Sequence, residues 1–362
     1  MQVRVNRLCG IVAVAALAGA LAGVAAGATP QKAPYVKKFK WGTFKLAPRI
    51  AAKLQSGQTL NVVMSSAGLT TPVYGPQFSY SFPIGISKAA KQYKVKLKGK
   101  MVGPVTANTI EQINQIRAQI KAGQVDCLGL TVADAGFGPI IDQAVNSGIP
   151  VFTTGGDEPK SRQFGTFKTD WTFEGRLAAR KVVAFFKAKG VPLTSAALTS
   201  GGASYVFSQI RMKAFYSELI KLVPDIKFAN DPSSALDTTF DPAATYSKVK
   251  AFLEGNSDIQ VLYQTDVLGG VLDKAVNDLG LRGKTYVIGH NVDLTNLAGI
   301  KDGTQIATLD QNYLAQAQFP ALACADYLKT GRILPNTNVP IVIDSTNVDA
   351  AKALFIKTAN PK

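Results

Sequence analysis

The sequence holds a single histidine, His290, among 362 residues. Any Ser-His or Cys-His nucleophile pair must be built on it, and no Gly-x-Ser-x-Gly elbow accompanies it. Cysteine is scarce as well, at three residues, so no His/Cys metal spacing arises. The phosphate loop Gly-x-x-x-x-Gly-Lys-Ser/Thr and the dinucleotide fingerprint Gly-x-Gly-x-x-Gly are both missing. These absences argue against an enzyme, a metal site and a cofactor. Acidic residues are few, 24 against 40 Lys and Arg, giving a formal charge of +16. The lysines are spread singly over expected helix faces and turns, and the densest run is Lys37-Lys38-Phe39-Lys40. The charge therefore reads as a solvated basic surface and not a nucleic-acid patch, with attraction to an anionic envelope or acidic partner as the other reading.

Long apolar runs are also missing, with one exception. Leu8 to Ala26 is apolar, follows Arg4 and Arg7, and ends in Ala26-Gly27-Ala28 before Thr29-Pro30. This is the pattern of a secretory signal (residues 1–28) cut after Ala28; its length, near that of a spanning helix, leaves a retained anchor as the alternative. Cys9 precedes the run and is not placed as a lipoprotein cysteine. The reading is an exported, periplasmic chain, soluble after cleavage. Only Cys127 and Cys324 then remain, both in apolar, core-like settings. Two buried thiols are expected, with a disulfide in an oxidising compartment as the alternative, because pairing needs a Cα approach that sequence does not supply.

The 334 residues left (362 less 28) exceed what one core usually serves, so two domains are expected. Residues 29–58 form a Lys- and Pro-bearing arm with a helix-like end at 48–54. Apolar strand candidates then recur at 60–66, 94–102, 127–132, 150–155, 164–168, 194–199, 225–229, 259–264, 285–289, 304–309 and 339–343. Helical patterns lie between most of them, at 172–188, 205–221, 268–279 and 313–329, and most clearly where Ile110, Ile113, Ile116 and Ile120 form one stripe. Continuous apolar strands alternating with helices of ten or more residues imply α/β architecture with parallel sheets covered on both faces, as two doubly wound lobes.

In such sheets ligands bind beyond the carboxyl ends of the strands. The unusual residues of this chain fall there: Ser65-Ser66, Asp134, Gly156-Asp157, Ser200-Gly201-Gly202, Gln264-Thr265-Asp266, His290-Asn291 and Asp310-Gln311-Asn312. Each alone reads as a helix cap or turn former. Their shared place in the rhythm favours a cleft for a hydroxylated ligand.

The stretch Val125-Asp126-Cys-Leu-Gly-Leu, followed by Gly138-Pro-Ile-Ile-Asp-Gln-Ala-Val-Asn-Ser-Gly-Ile-Pro-Val-Phe-Thr, resembles the type I periplasmic sugar-binding proteins of ABC importers. Asp157, Pro159, Ser161, Asp170, Gly175 and Arg176 match a further family segment. Arg211-Met-Lys-Ala-Phe, Tyr263-Gln-Thr-Asp266, Val287-Ile-Gly-His-Asn and Ile306-Ala-Thr-Leu-Asp-Gln311 follow in family order, so the resemblance spans about residues 58–345.

The resemblance implies a ligand cleft between lobes, a three-strand hinge whose first crossing strand is residues 164–169, and no catalysis. It implies lobe 1 over 59–168 with 312–338, and lobe 2 over 169–311 with 339–362. The implied partners are a sugar or polyol and an ABC permease, with the protein a monomer that contacts no nucleic acid. A sensor reporting to a chemoreceptor or sensor kinase is the alternative. Among the implied ligand residues, Arg211 and Gln311 keep the family types and hydrogen-bond ligand oxygens. Trp171 stacks on the sugar or, alternatively, packs at the helix start. Asp157, Asp266 and Asn291 orient the ligand, with Ser66, Asp170 and His290 alongside. Several positions depart from the pattern: Asn291 stands for an Asp, His290 for an aromatic, Thr265 for an Asn, Gly155 for an acidic residue and Trp171 for an Asn. They make a non-standard sugar, a polyol or a carboxylated compound as plausible as ribose or galactose.

Overall fold

A computed structural model describes residues 35–71 and 74–359. The expected leader and the start of the arm lie outside the described residues. The remainder of the arm is a β-hairpin, β1 (Val36–Phe39) and β2 (Gly42–Lys45), followed by helix α1 (Pro48–Gln55). The hairpin does not stand off as a separate arm. Phe44 is buried against Phe164 and Tyr327, while Arg49 and Lys53 both pair with the buried Asp126. The described part of the arm is thus a layer of the first lobe.

That lobe alternates β3 (Leu60–Ser65), α2 (Gly75–Tyr93), β4 (Leu97–Val102), α3 (Thr109–Lys121), β5 (Cys127–Thr131), α4 (Gly138–Asn146), β6 (Val151–Thr154) and β7 (Gly165–Phe167). Its five strands are all parallel, in the order β4-β3-β5-β6-β7. The apolar strands β5 and β6 are buried at every position, as expected of a sheet covered on both faces. On α3, Ile116 is buried but Ile110 is 73% exposed, so the isoleucine stripe is shorter at its N-terminal end than the spacing predicts.

The chain crosses at residues 168–170 into α5 (Trp171–Lys189). The second lobe continues with β8 (Ser195–Ser200), α6 (Val206–Leu222), β9 (Lys227–Phe228), β10 (Leu236–Asp237), α7 (Pro242–Glu254), β11 (Val261–Gln264), α8 (Gly269–Asp278), β12 (Tyr286–His290), α9 (Leu294–Asp302) and β13 (Gln305–Asp310). It returns through residues 311–312 to α10 (Tyr313–Thr330), whose residues 317–328 belong to the first lobe's core. A third crossing leads to β14 (Ile341–Ile343), antiparallel to β13, and to α11 (Val348–Ala359). The second sheet runs β10-β8-β11-β12-β13-β14, with β9 beside β8. No helix among the described residues is long and apolar enough to cross a membrane.

Two close approaches fix the helices that flank the crossings. A Cβ at Gly85 would lie 2.7 Å from Gln318 Cα, so only glycine lets α2 and α10 meet there. A Cβ at Gly175 would meet the Arg211 carbonyl oxygen, which sets α5 directly on α6. The expectation of two free thiols is corrected: Cys127 on β5 and Cys324 on α10 form a disulfide with Cα atoms 6.1 Å apart. Residues 197 apart in sequence meet because α10 returns to pack on the first sheet.

Candidate functional site

Loops at the carboxyl ends of both sheets face each other where the chain crosses between lobes. β6 ends at Gly155, whose φ of +77° is a left-handed conformation that glycine adopts without strain. A side chain on Gly156 would collide with the Val132 carbonyl oxygen, so the turn from Thr154 to Asp157 needs both glycines. Asp157 then pairs with Lys168 at 2.6 Å, and the Lys168 ammonium lies 4.5 Å from the centroid of Trp171. Asp170 is exposed, and its carboxylate accepts the amides of Thr172 and Phe173, capping α5. That cap holds Trp171 at the helix start. The half-buried indole meets Phe207 edge-on at 6.3 Å, and its Nε1 is buried without a partner.

The floor of the second lobe is a buried polar cluster. Arg211 is 1% exposed; its Nε donates to Glu174 Oε2 at 2.7 Å and its Nη1 to the Thr265 carbonyl at 2.8 Å. Nη2 lies 2.7 Å from the same carboxylate but makes no hydrogen bond, and Phe207 covers the guanidinium at 5.2 Å. Fully buried His290 meets the Tyr263 hydroxyl through Nε2 at 2.9 Å, and its Nδ1 lies 4.0 Å from Glu174 Oε2 without a hydrogen bond. Burial, and then the Arg211 charge, hold its pKa well below the usual histidine range, so the ring is neutral. Asp266 is buried and takes hydrogen bonds from Gly201 N, Gln264 Nε2 and Leu268 N; burial raises its pKa. Its acceptor capacity is largely spent inside its own lobe. The Thr265 hydroxyl likewise bonds Ser200 and Ser208.

Asn291 sits at φ +65°, a left-handed position that Asn tolerates better than most residues. Its Oδ1 accepts from Gln311 Nε2 at 2.8 Å, and that nitrogen also donates to the Tyr313 hydroxyl at 2.7 Å. Gln311 is therefore the joint between lobes: Asn291 belongs to the second sheet's end, and Tyr313 packs on Tyr74 and Phe78 of the first. Gln316 Nε2 donates to the Gln311 carbonyl, and Gln316 Oε1 would stand 3.7 Å from a Cβ at Gly155. Ser66 is buried just past the end of β3, where its hydroxyl reaches the Gly68 carbonyl at 3.4 Å, and it makes no hydrogen bond to the other candidates.

Arg211, His290, Asn291 and Gln311 are thus brought together, Asp266 lies under them, and Asp157, Asp170 and Trp171 line the first crossing. Three residues at the centre were not among the sequence candidates: Glu174, Tyr313 and Gln316. Asp310 was grouped with Gln311 but not chosen. Its carboxyl has a buried, unpartnered Oδ1, and burial, reinforced by Glu174, raises its pKa to about 7. A glutamate in a first helical turn reads in sequence as a surface complement to the helix dipole, and nothing local tells that Glu174 is fully buried.

Two doubly wound lobes, joined by three crossings with polar strand ends turned toward one another, are the architecture of a two-lobed solute-binding protein. The chain matches the periplasmic binding protein domain over residues 67–332 and belongs to that family. Solved structures share the fold. A glucose-galactose binding protein from Geobacillus stearothermophilus aligns with TM-score 0.66 and 22% identity, covering 80% of this chain and 99% of that one. An arabinose binding protein from the same organism gives 0.67 and 18%, over 81% and 99%. A periplasmic solute binding protein from Actinobacillus succinogenes 130z with bound D-allose gives 0.66 and 18%, over 80% and 99%. No curated protein matches the chain.

Proposed function

We propose that this protein is exported, captures a small hydroxylated solute, a sugar or polyol, between its lobes, and delivers it to an ABC import permease. One observation carries the reading. Buried polar atoms without a protein partner gather at the crossings from both sides: Glu174 Oε1, Arg211 Nη2, His290 Nδ1 and Trp171 Nε1 from the second lobe, Gln316 Oε1 from the first, and Asp310 Oδ1 and Asn338 Oδ1 beside the crossings. Buried polar groups are normally satisfied, and a ring of hydroxyls both donates and accepts, so such a solute would complete them. The aromatic faces of Trp171 and Tyr313 suit the C–H faces of a sugar. The sugars bound by proteins of the same fold, glucose and galactose, arabinose and D-allose, point the same way.

The working cycle is a population shift. Solute that touches Gln316 on one lobe and Glu174, Arg211 and His290 on the other favours the closed form by its differential affinity. Residues 59–168 with 312–338 then move as one body against 169–311 with 339–362, and the three crossings absorb the rotation. A thermal-shift screen of the chain from Thr29 against pentoses, hexoses, polyols, amino acids and carboxylates tests this. Ligand at about 100 times its dissociation constant adds roughly 2.7 kcal/mol and raises the midpoint by a few degrees. A flat response to every sugar and polyol, from protein shown free of carried-over ligand, overturns the reading.

A further inference from the structure

The cleft floor holds more carboxyl groups than its own cations pair. Glu174 is paired with Arg211, and Asp157 with Lys168. Asp266 takes only uncharged donors, from Gly201, Gln264 and Leu268, and among the described residues Asp310, at the last position of β13, has no cationic partner. The groups around it are Glu174 from α5, paired with Arg211 of α6, neutral His290 from β12 and the Tyr313 phenol from α10. From the strand on its other side the register partner is Ile341, which brings no charge. From the first lobe, Gln316 reaches the carbonyl of the adjacent Gln311 and brings no charge. Aromatic rings adjoin these groups: Phe207, which meets Trp171, covers the Arg211 guanidinium, and Tyr313 packs on Tyr74 and Phe78. Unpartnered carboxylate oxygens on Asp310 and on fully buried Glu174 therefore sit among aromatic faces, in a protein whose net charge is +16. A neutral sugar supplies hydroxyl donors to these oxygens but leaves the charge of Asp310 unmatched. An ammonium group supplies donors, charge and a cation for the aromatic faces at once.

We propose that the solute carries a protonated amine beside its hydroxyls, as an amino sugar or amino polyol does, and that Asp310 selects it. This rests on the sugar or polyol reading and narrows it. Burial opposes ionisation of Asp310, and an ammonium ion beside it reverses that preference, so binding and ionisation are coupled. A cation within contact distance lowers a carboxyl pKa by about one to three units, so the amine should bind about tenfold or more tighter than its hydroxyl isostere.

The test is calorimetric titration of the exported chain with matched pairs at pH 7: glucose against glucosamine, galactose against galactosamine, and glucitol against N-methylglucamine. The result expected is at least about tenfold tighter binding of the amine in one pair. N-methylglucamine, whose ammonium persists over this range, should also bind about tenfold tighter at pH 8 than at pH 6 as Asp310 ionises, while glucitol should not. In Asp310→Asn, an isosteric change, the ratio of amine to neutral affinity should fall to within about twofold of one, and the pH dependence should vanish. Neutral members binding as well as or better than the amines overturns the inference and leaves the sugar reading standing. No binding by any member of any pair overturns the inference, and the sugar or polyol reading falls with it only where the wider thermal-shift screen is flat as well. An amine preference that survives in Asp310→Asn overturns the assignment to Asp310.

Discussion

Removing the Arg211 guanidinium tests whether the floor of the second lobe is a structural ion pair. Arg211 is 1% exposed and Glu174 fully buried, and the guanidinium also serves the Thr265 carbonyl. In Arg211→Met the carboxylate of Glu174 stays in the interior without its counter-charge. Breaking one side of a buried pair costs about 3 to 5 kcal/mol. For a lobe of this size, at about 2 to 4 °C per kcal/mol, the midpoint should fall by about 6 to 20 °C. Scanning calorimetry of the ligand-free protein is the assay, with the second lobe's transition followed separately, because two lobes need not unfold as one. Arg211→Met combined with Glu174→Leu removes both charges at similar volume and should recover much of the loss. A single variant that loses less than about 1 kcal/mol, or a double variant as unstable as the two singles summed, refutes the reasoning. A residue acting only on ligand would leave the ligand-free midpoint unmoved.

Three further predictions can be checked with the same preparation. Replacing Cys127 and Cys324 with Ser opens a loop of 197 residues in sequence and should cost up to about 5 kcal/mol; free thiols titrated in the folded, oxidised protein would contradict the pairing. Asp310 has a folded pKa of about 7 against 3.8 for the unperturbed group, so the folded state holds a proton that the unfolded chain releases. Wild-type stability should therefore fall relative to Asp310→Asn as pH rises from about 4 to 7 and level off above that, and a pH-independent difference in midpoint would count against it. Phe44→Ala should cost about 3 to 5 kcal/mol in urea unfolding, because its ring is 1% exposed beneath the first lobe; a loss near zero would mean that the hairpin is a detachable arm.

Much of the α/β layout was legible because strands and helices here follow the period of their apolar residues. The eleven apolar runs read from sequence each overlap a strand of the structure, and none of those strands extends more than one residue beyond its run. The misses have local causes. α2 carries Pro76, Pro83 and Gly85, which break a helical pattern, and it persists by packing on α10, where Gly85 meets Gln318. The hairpin Val36 to Lys45 hides in a lysine-rich stretch, because its buried partners, Phe164 and Tyr327, lie far along the chain. Asp170 shows the opposite limit: its match to the resembled family and its cap position coincide, and the structure spends its Oδ1 on the cap.

What the sequence by itself determined is therefore positional. The alternation of strand and helix puts Asp266, His290, Asn291, Asp310 and Gln311 at strand ends, where a doubly wound sheet opens toward a ligand. Which of those groups are already engaged, and which still lack a partner, was decided only by tertiary packing. Asp266 accepts three donors from its own lobe, while Asp310 keeps an enclosed oxygen with none; Glu174 and Cys324 gained their roles when α5 met α6 and α10 folded back onto β5. Hydrogen bonding, ion pairing and disulfide formation depend on distances of a few ångströms between residues up to 294 positions apart, and no local periodicity encodes such distances.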